Sequence, residues 1–235
     1  MTGSGAGDDL AILAVLSEGL RGRLYRFVRG HPGPATRDQA AAALGISRGL
    51  AAFHLDKLVA SGLLRARHER PGGRRQVGRA PKVYEPSDLE VEASIPERHY
   101  DLAGRLLVEA ITRHAPGEPA SEAAVRLARE HGAELGARLR ATRRLGRPGP
   151  ERTLTTAMEV LEGQGYEPRR DGRRAVTLAN CPFHTLARQA PELICGMNQA
   201  LVDGLLRGLG NQSVQAVLVP TEGACCVELR PPPTP

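Results

Sequence analysis

Residues 45–82 read GISRGLAAFHLDKLVASGLLRARHERPGGRRQVGRAPK, and the order of residue types in this stretch decides the fold. Ser47 is a good N-cap, and Ile46, Leu50, Phe53, Leu55, Leu58 and Val59 supply the apolar face of a helix starting beside it. Gly62 stops that helix, and Leu63 and Leu64 open a strand. Upstream, Thr36 caps a short helix running to Leu44, and Gly45 makes the turn between the two helices. Arg48, Gly49, Ala51 and Ala52 fall on or beside the outward face of the second helix's first two turns, and His54 is taken with them. Between Leu64 and Tyr84 stand Arg65, Arg67, Arg70, Arg74, Arg75, Arg79 and Lys82 against one acid, Glu69. Pro71, Gly72, Gly73 and Gly78 make the tip of this segment a loop, so its cations ride on a hairpin. Helix, turn, helix and basic hairpin in that order predict a winged helix-turn-helix that sits on double-stranded DNA. Thr36, Ser47, Arg48, Gly49, Ala51, Ala52 and His54 are the candidate contacts from the helices, and Arg74, Arg75, Arg79 and Lys82 those from the hairpin. The plainer alternative is a solvated charge run beside a helix-turn-helix that binds no DNA; the ordered succession is more specific than any one part.

The chain has 235 residues, enough for two cores, and a formal net charge of +6. The segment from Arg65 to Lys82 alone carries seven basic residues and one acid, so the positive excess is local, which points to a polyanion partner. Trp is absent and Phe and Tyr are scarce, so the cores must be built mostly of Leu, Val and Ala. No apolar run approaches the roughly 20 residues that span a membrane. The start, MTGSGAGDDL, lacks the basic and apolar parts of a signal peptide, so a cytoplasmic protein is expected.

Residues 1–8 read as a tail. From Asp9 to Arg29, Leu10, Leu13, Leu16, Leu20, Leu24, Phe27 and Val28 recur at helical spacing, with Gly19 and Gly22 as points where the helix can split. A DNA-binding domain over 9–86 is followed by an acidic linker, Pro86 to Pro96. Two central helices come next: Glu97 to about His114, with Leu102, Leu106, Leu107, Ala110 and Ile111, and about Ser121 to Arg144, with Val125, Leu127, Ala128, Leu135 and Leu139. Two copies of the chain are needed to read two half-sites one DNA turn apart, about 34 Å, and these helices (87–146) are the candidates for pairing them in a homodimer. The alternative is that they pack on each other within one chain. Gly146 to Pro150 marks a second boundary. Beyond it, over 147–230, the pattern predicts a helix at Leu154–Leu161, a hairpin of 166–169 with 175–178, a long helix from about Pro191 to Leu209, and strands at 214–219 and 224–229. The fold class is therefore mostly α with small β, ending in an α+β domain. Pro231 to Pro235 reads as a tail.

All four cysteines fall in that last domain: Cys181 in NCPFH, Cys195 in ELICGMN, and Cys225 and Cys226 in the final strand. Clustered thiols in a reducing compartment suit zinc or an iron–sulfur cluster. Cys181 and His184 have CxxH spacing, which fits two ligands on one turn. Adjacent residues of a strand point to opposite faces, so Cys225 and Cys226 cannot easily both reach one site; alternation with Val227 and Leu229 favours Cys225 facing inward. Cysteines that are simply small buried hydrophobes are the alternative reading.

The stretches GISRGLAAFHLDKLVASGLL, GRAPKVYEPSD, NCPFHTLARQAPELICGMNQALVDGLL and GACCVEL together resemble the ArsR-like winged-helix regulators of actinobacteria, in particular those related to the SufR iron–sulfur repressors. The resemblance runs over nearly the whole chain, and its specific part is the cysteine spacing. It implies a repressor whose iron–sulfur cluster sets its affinity for DNA. Cys181 and Cys195 match the first two ligand positions, and Cys226 or Cys225 the later one, with spacing to the chain end leaning to Cys226. Where cyanobacterial members carry a further cysteine after the long helix, this chain has Gly210-Asn211-Gln212, which leaves a fourth ligand open. The resulting expectation is a DNA-binding regulator, not an enzyme. A structural zinc or a small organic effector in place of the cluster is the alternative, and a thiol redox enzyme a more distant one.

Overall fold

The computed structural model describes residues 6–69, 80–143, 149–171, 175–210, 214–220 and 224–230. The chain is mostly helical with small antiparallel sheets and divides into two units, Met1–Ala93 and Ser94–Pro235. Among the described residues no helix is long and apolar enough to cross a membrane.

In the first unit, α1 (Ala6–Ser17) and α2 (Gly19–Gly30) split at Glu18, so α1 already occupies part of the predicted tail. Then come β1 (Ala35–Thr36), α3 (Arg37–Leu44), α4 (Arg48–Ala60), β2 (Leu64–His68) and β3 (Lys82–Pro86), with sheet order β1-β3-β2. Thr36 starts α3 with a reciprocal cap: its hydroxyl accepts from Gln39 N, and Gln39 Oε1 accepts from Thr36 N at 2.8 Å. Gly45 takes the left-handed conformation, φ 67°, that lets α3 stop and turn at once into α4. Ser47 Oγ then accepts from Leu50 N. The core is Leu24, Val28, Ala35, Ala40, Leu55, Leu58, Leu63, Leu64 and Tyr84.

Three expectations need correction in this unit. From α1 it is Ile12, Val15 and Leu16 that pack on the core, whereas Leu10 and Leu13 are exposed. On α4 the buried line is Ala51, His54, Leu55 and Leu58, so Leu50 and Phe53 point outward. The expected linker also begins docked. Ser87 Oγ donates to Gly62 O at 2.6 Å, and Val91 packs on the core, which moves the boundary between units to residues 93 and 94.

The second unit comprises α5 (Tyr100–Arg113), α6 (Ala120–Thr142), α7 (Pro150–Glu162), β4 (Pro168–Asp171), β5 (Ala175–Leu178), α8 (His184–Gln189), α9 (Pro191–Gly208), β6 (Gln215–Leu218) and β7 (Val227–Arg230). The four strands are antiparallel in order β4-β5-β7-β6, and α8 was not foreseen. The central helices do not form a domain of their own. They share one core with the sheet, because α6 lies along α9 in the same direction with the two backbones nearly touching. A Cβ on Gly132 would stand 2.0 Å from Leu201 O, and one on Gly204 would stand 2.1 Å from Arg129 O. Gly136 and Gly208 repeat the contact one turn on, at 2.4 Å from Leu205 O and 2.2 Å from Ala133 O. The buried face of α6 is thus Ala123, Ala124, Ala128, Gly132 and Gly136, with Val125, Leu127, Leu135 and Leu139 only partly buried at its flanks. On α5 the buried stripe is Leu102, Ala103, Leu106 and Ala110; Ile111 is 65% exposed and Val108 beside it 61%.

Candidate functional site

The four thiols come together from three segments of the second unit. Cys181 lies in the turn after β5, Cys195 in the second turn of α9, and Cys225 and Cys226 in the bend that leads into β7. That bend corrects the alternation argument. Neither residue is in a strand, so both side chains reach the same place, with Cys225 buried and Cys226 partly so. The backbone holds them there, since Cys225 N donates to Leu178 O at 2.9 Å and Val219 N to Cys226 O at 2.7 Å.

The sulfurs form a hydrogen-bonded chain, Cys181 to Cys225, Cys225 to Cys226, and Cys226 to Cys195. Hydrogen bonding from Cys225, supported by Cys195, overcomes burial and lowers the Cys226 thiol to about 6. The Cys225 hydrogen bond likewise lowers Cys181, helped by the Phe183 backbone and the Arg98 charge. Cys195 moves the other way, up to about 12, through burial first and then its bond to Cys226. Cys225 is also pushed up, by its contacts with the Cys181 and Cys226 sulfurs and then by burial. Cys181 and Cys226 are thus favoured as thiolates relative to an ordinary cysteine, and Cys195 and Cys225 as thiols. Soft thiolates of this kind are ligands for zinc, copper(I) or iron–sulfur clusters, so the donor set fits the expected group. Among the described residues, however, no group of three His, Cys, Asp or Glu side chains stands ready to hold a metal ion.

His184 does not join them. It is exposed at the first residue of α8, and its backbone N–H, not its ring, bonds Cys181 O at 3.1 Å. The CxxH spacing makes a turn here, and the pairing of ligands on that turn is corrected.

A polar scaffold that the sequence reading missed surrounds the thiols. Asn198, fully buried one turn after Cys195, donates to Cys225 Sγ at 3.2 Å and accepts from the Tyr166 hydroxyl. Burial, and after it the nearby sulfurs, keep the Tyr166 phenol well above its usual range, so it stays a donor. Arg98 donates to Cys181 O at 2.9 Å and to Asn180, which in turn donates to Gly165 O. Asn198 had a legible signal: it is a polar residue on the line of Ile194, Leu201 and Leu205, where α9 is otherwise apolar.

In the first unit, Arg48, Gly49 and Ala52 lie on the open side of α4's first two turns, with Arg48 Nε 3.2 Å from Asp38. Thr36 and Ser47 are engaged as helix caps. Two candidates are corrected. Ala51 has no exposed surface, and His54 is buried with Nδ1 3.4 Å from Glu18 Oε2, because both belong to the face that packs on the core. Arg74, Arg75 and Arg79 lie outside the described residues. Lys82 is in β3, with its ammonium 2.6 Å from Asp56, which also accepts from Tyr84. At the base of the hairpin Arg65 pairs with Asp88 at 2.7 Å, and Arg67 with Glu69 and Glu85. Such exposed pairs are weak, so a polyanion can compete for them.

The chain matches no protein-family model, no curated protein and no solved structure.

Proposed function

We propose that this chain is a homodimeric, cytoplasmic DNA-binding transcription regulator, with a winged helix in its first unit and a thiolate-held iron–sulfur cluster in its second. The observation that carries the reading is that four cysteines, spread from residue 181 to 226, come into successive pairwise contact, two buried and two half-buried, in a unit separate from the helix–turn–helix. Buried hydrophobes have no need to meet, and mutual hydrogen bonding of four sulfurs is a costly way to fill space.

Support for the DNA half is local. The turn at Gly45 sets α4 so that Arg48, Gly49 and Ala52 are open to a groove, and β2 and β3 lead to a segment holding Arg70, Arg74, Arg75 and Arg79. In the sensor half, Cys181, Cys195, Cys225 and Cys226 would all hold the group, which removes the need for an outside fourth ligand. A cluster held by these cysteines would supply a redox-sensitive cross-link between the turn after β5, α9 and the entry to β7. Asn198 and Tyr166 fix the Cys225 sulfur, while Arg98 and Asn180 fix the Cys181 backbone. A difference in cross-linking changes the populations of DNA-competent states, and a coupling of about 1–3 kcal/mol shifts affinity roughly 5- to 150-fold. Since the seam of α6 is used within the chain, pairing of two copies falls to another surface, for which the exposed Val108 and Ile111 of α5 are suited.

Anaerobic purification with metal analysis and an absorption spectrum tests the sensor half. Iron, sulfide and visible colour are expected, and Cys195→Ala abolishes them; colourless protein without iron contradicts the cluster. A second reading keeps the regulator and puts zinc at the thiols. The contacts between the free thiols favour it, since a single tetrahedral ion at about 2.3 Å from each sulfur draws ligands close together. Stoichiometric zinc in colourless protein would establish that reading instead.

A further inference from the structure

Leu50 and Phe53 are 42% and 57% exposed on the open side of α4, in line with Lys57 at the i, i+3 and i+7 spacing that makes a surface row. A helix in a small domain normally turns such side chains inward, and α4 has already committed Leu55 and Leu58 to the core. The Phe53 ring is held in place. It meets the His54 ring edge-on, centroids 5.1 Å apart, and Lys57 Nζ stands 5.8 Å from its centroid. Around the pair are Gly49 and Ala52, which let the helix backbone approach closely, and the cations of Arg48 and Lys57. The one acid of α4, Asp56, is engaged by Lys82 and Tyr84, and Asp38 of α3 lies 3.2 Å from Arg48 Nε. No Asn or Gln lies on α4 to read adenine by paired hydrogen bonds.

From this we infer that Leu50 and Phe53 are specificity-determining residues that read thymine, by closing over its 5-methyl group in the major groove. That methyl is the apolar group a base pair offers there, and burying it against a leucine and a phenylalanine discriminates thymine without any hydrogen bond. The inference rests on the DNA-binding reading and extends it to the kind of half-site selected. Charge decides against a protein partner as the occupant. Two apolar side chains rimmed by Arg48 and Lys57, on a unit whose stretch 65–82 holds seven basic residues against one acid, suit a polyanion better than the broad apolar core of a protein interface.

The whole 235-residue chain is used to select duplexes from a randomised pool, and the preferred duplex is remade with deoxyuridine in place of thymidine, one position at a time. At the positions facing α4, wild-type affinity falls about fourfold for each methyl lost. Phe53→Ala and Leu50→Ala bind the thymidine duplex as weakly as wild type binds the matching deoxyuridine duplex, and no longer distinguish the two. Coinciding thermal melts of wild type and both variants establish that the fold is kept. Equal wild-type affinity for thymidine and deoxyuridine duplexes, with salt-dependent binding intact, overturns methyl reading and leaves DNA binding standing. Absence of duplex binding at low salt overturns both, and the exposed pair is then a protein contact.

Discussion

The open face of α4 and the seam between α6 and α9 reverse each other's residue sizes. On α4, Leu50 and Phe53 remain in water; along the seam, Gly132, Gly136, Gly204 and Gly208 lie where nothing larger fits. Side-chain size in this chain follows what must touch the position more than how deep the position lies. Carbonyl oxygens of the facing helix fill the space at the seam, while on α4 the space is open for something outside the chain.

Substitutions in the seam should give the largest effect. Gly204→Leu has no room beside Arg129 O and should unfold the second unit, and Gly204→Ala should cost about 3 kcal/mol or more in urea melts. A loss below about 1 kcal/mol would mean the helices part easily, and the contrast with α4 would dissolve. On α4 the pair Leu55→Ala and Phe53→Ala sharpens it. Removing the fully buried Leu55 should cost about 2–5 kcal/mol, whereas the outward Phe53 should stay within about 0.5 kcal/mol of wild type. Similar losses at both positions would place Phe53 in the core. Asp56→Ala removes the acceptor of Tyr84 and Lys82 and should cost about 1 kcal/mol, with water replacing part of the bond.

A smaller effect comes from pH, in protein stripped of metal. Cys226 ionises at about 6 when folded and at about 8.5 when unfolded, so its contribution to stability grows as pH rises through that interval and then levels off. Cys195, pushed up to about 12, acts oppositely: above about 8.5 the unfolded chain ionises first and stability falls. Urea midpoints of the second unit should therefore peak near pH 8. A monotonic decline from pH 6 upward would show that the sulfurs are not coupled in this way.

The local signals of the first unit could be read directly from sequence. Thr36, Gly45, Ser47 and Gly62 act through their nearest neighbours, and each lies where its chemistry predicts a cap or turn. Faces were harder. Leu50 and Phe53 fit an apolar stripe by spacing, and only the packing of Ala51 and His54 against the core shows which side is inside. The seam was illegible for a related reason: patterning looks for bulky residues, and Val125 and Leu135 drew attention from the Ala and Gly line that makes the contact. Among the thiols, the adjacency of Cys225 and Cys226 misled because strand alternation was applied to residues that form a bend ahead of β7. Asn198 is the residue that sequence reasoning could have found, a lone amide on a buried helical line.

Coupling between thiols and duplex binding is the central claim, and one titration addresses it. Affinity for the selected duplex is measured at fixed salt on anaerobically purified protein, before and after treatment with a chelator, with metal content assayed in both states. A change of roughly 5- to 150-fold, restored on reloading the metal and absent from Cys195→Ala, is the predicted result. Identical affinities in the two states, from protein whose metal content has demonstrably changed, would contradict it.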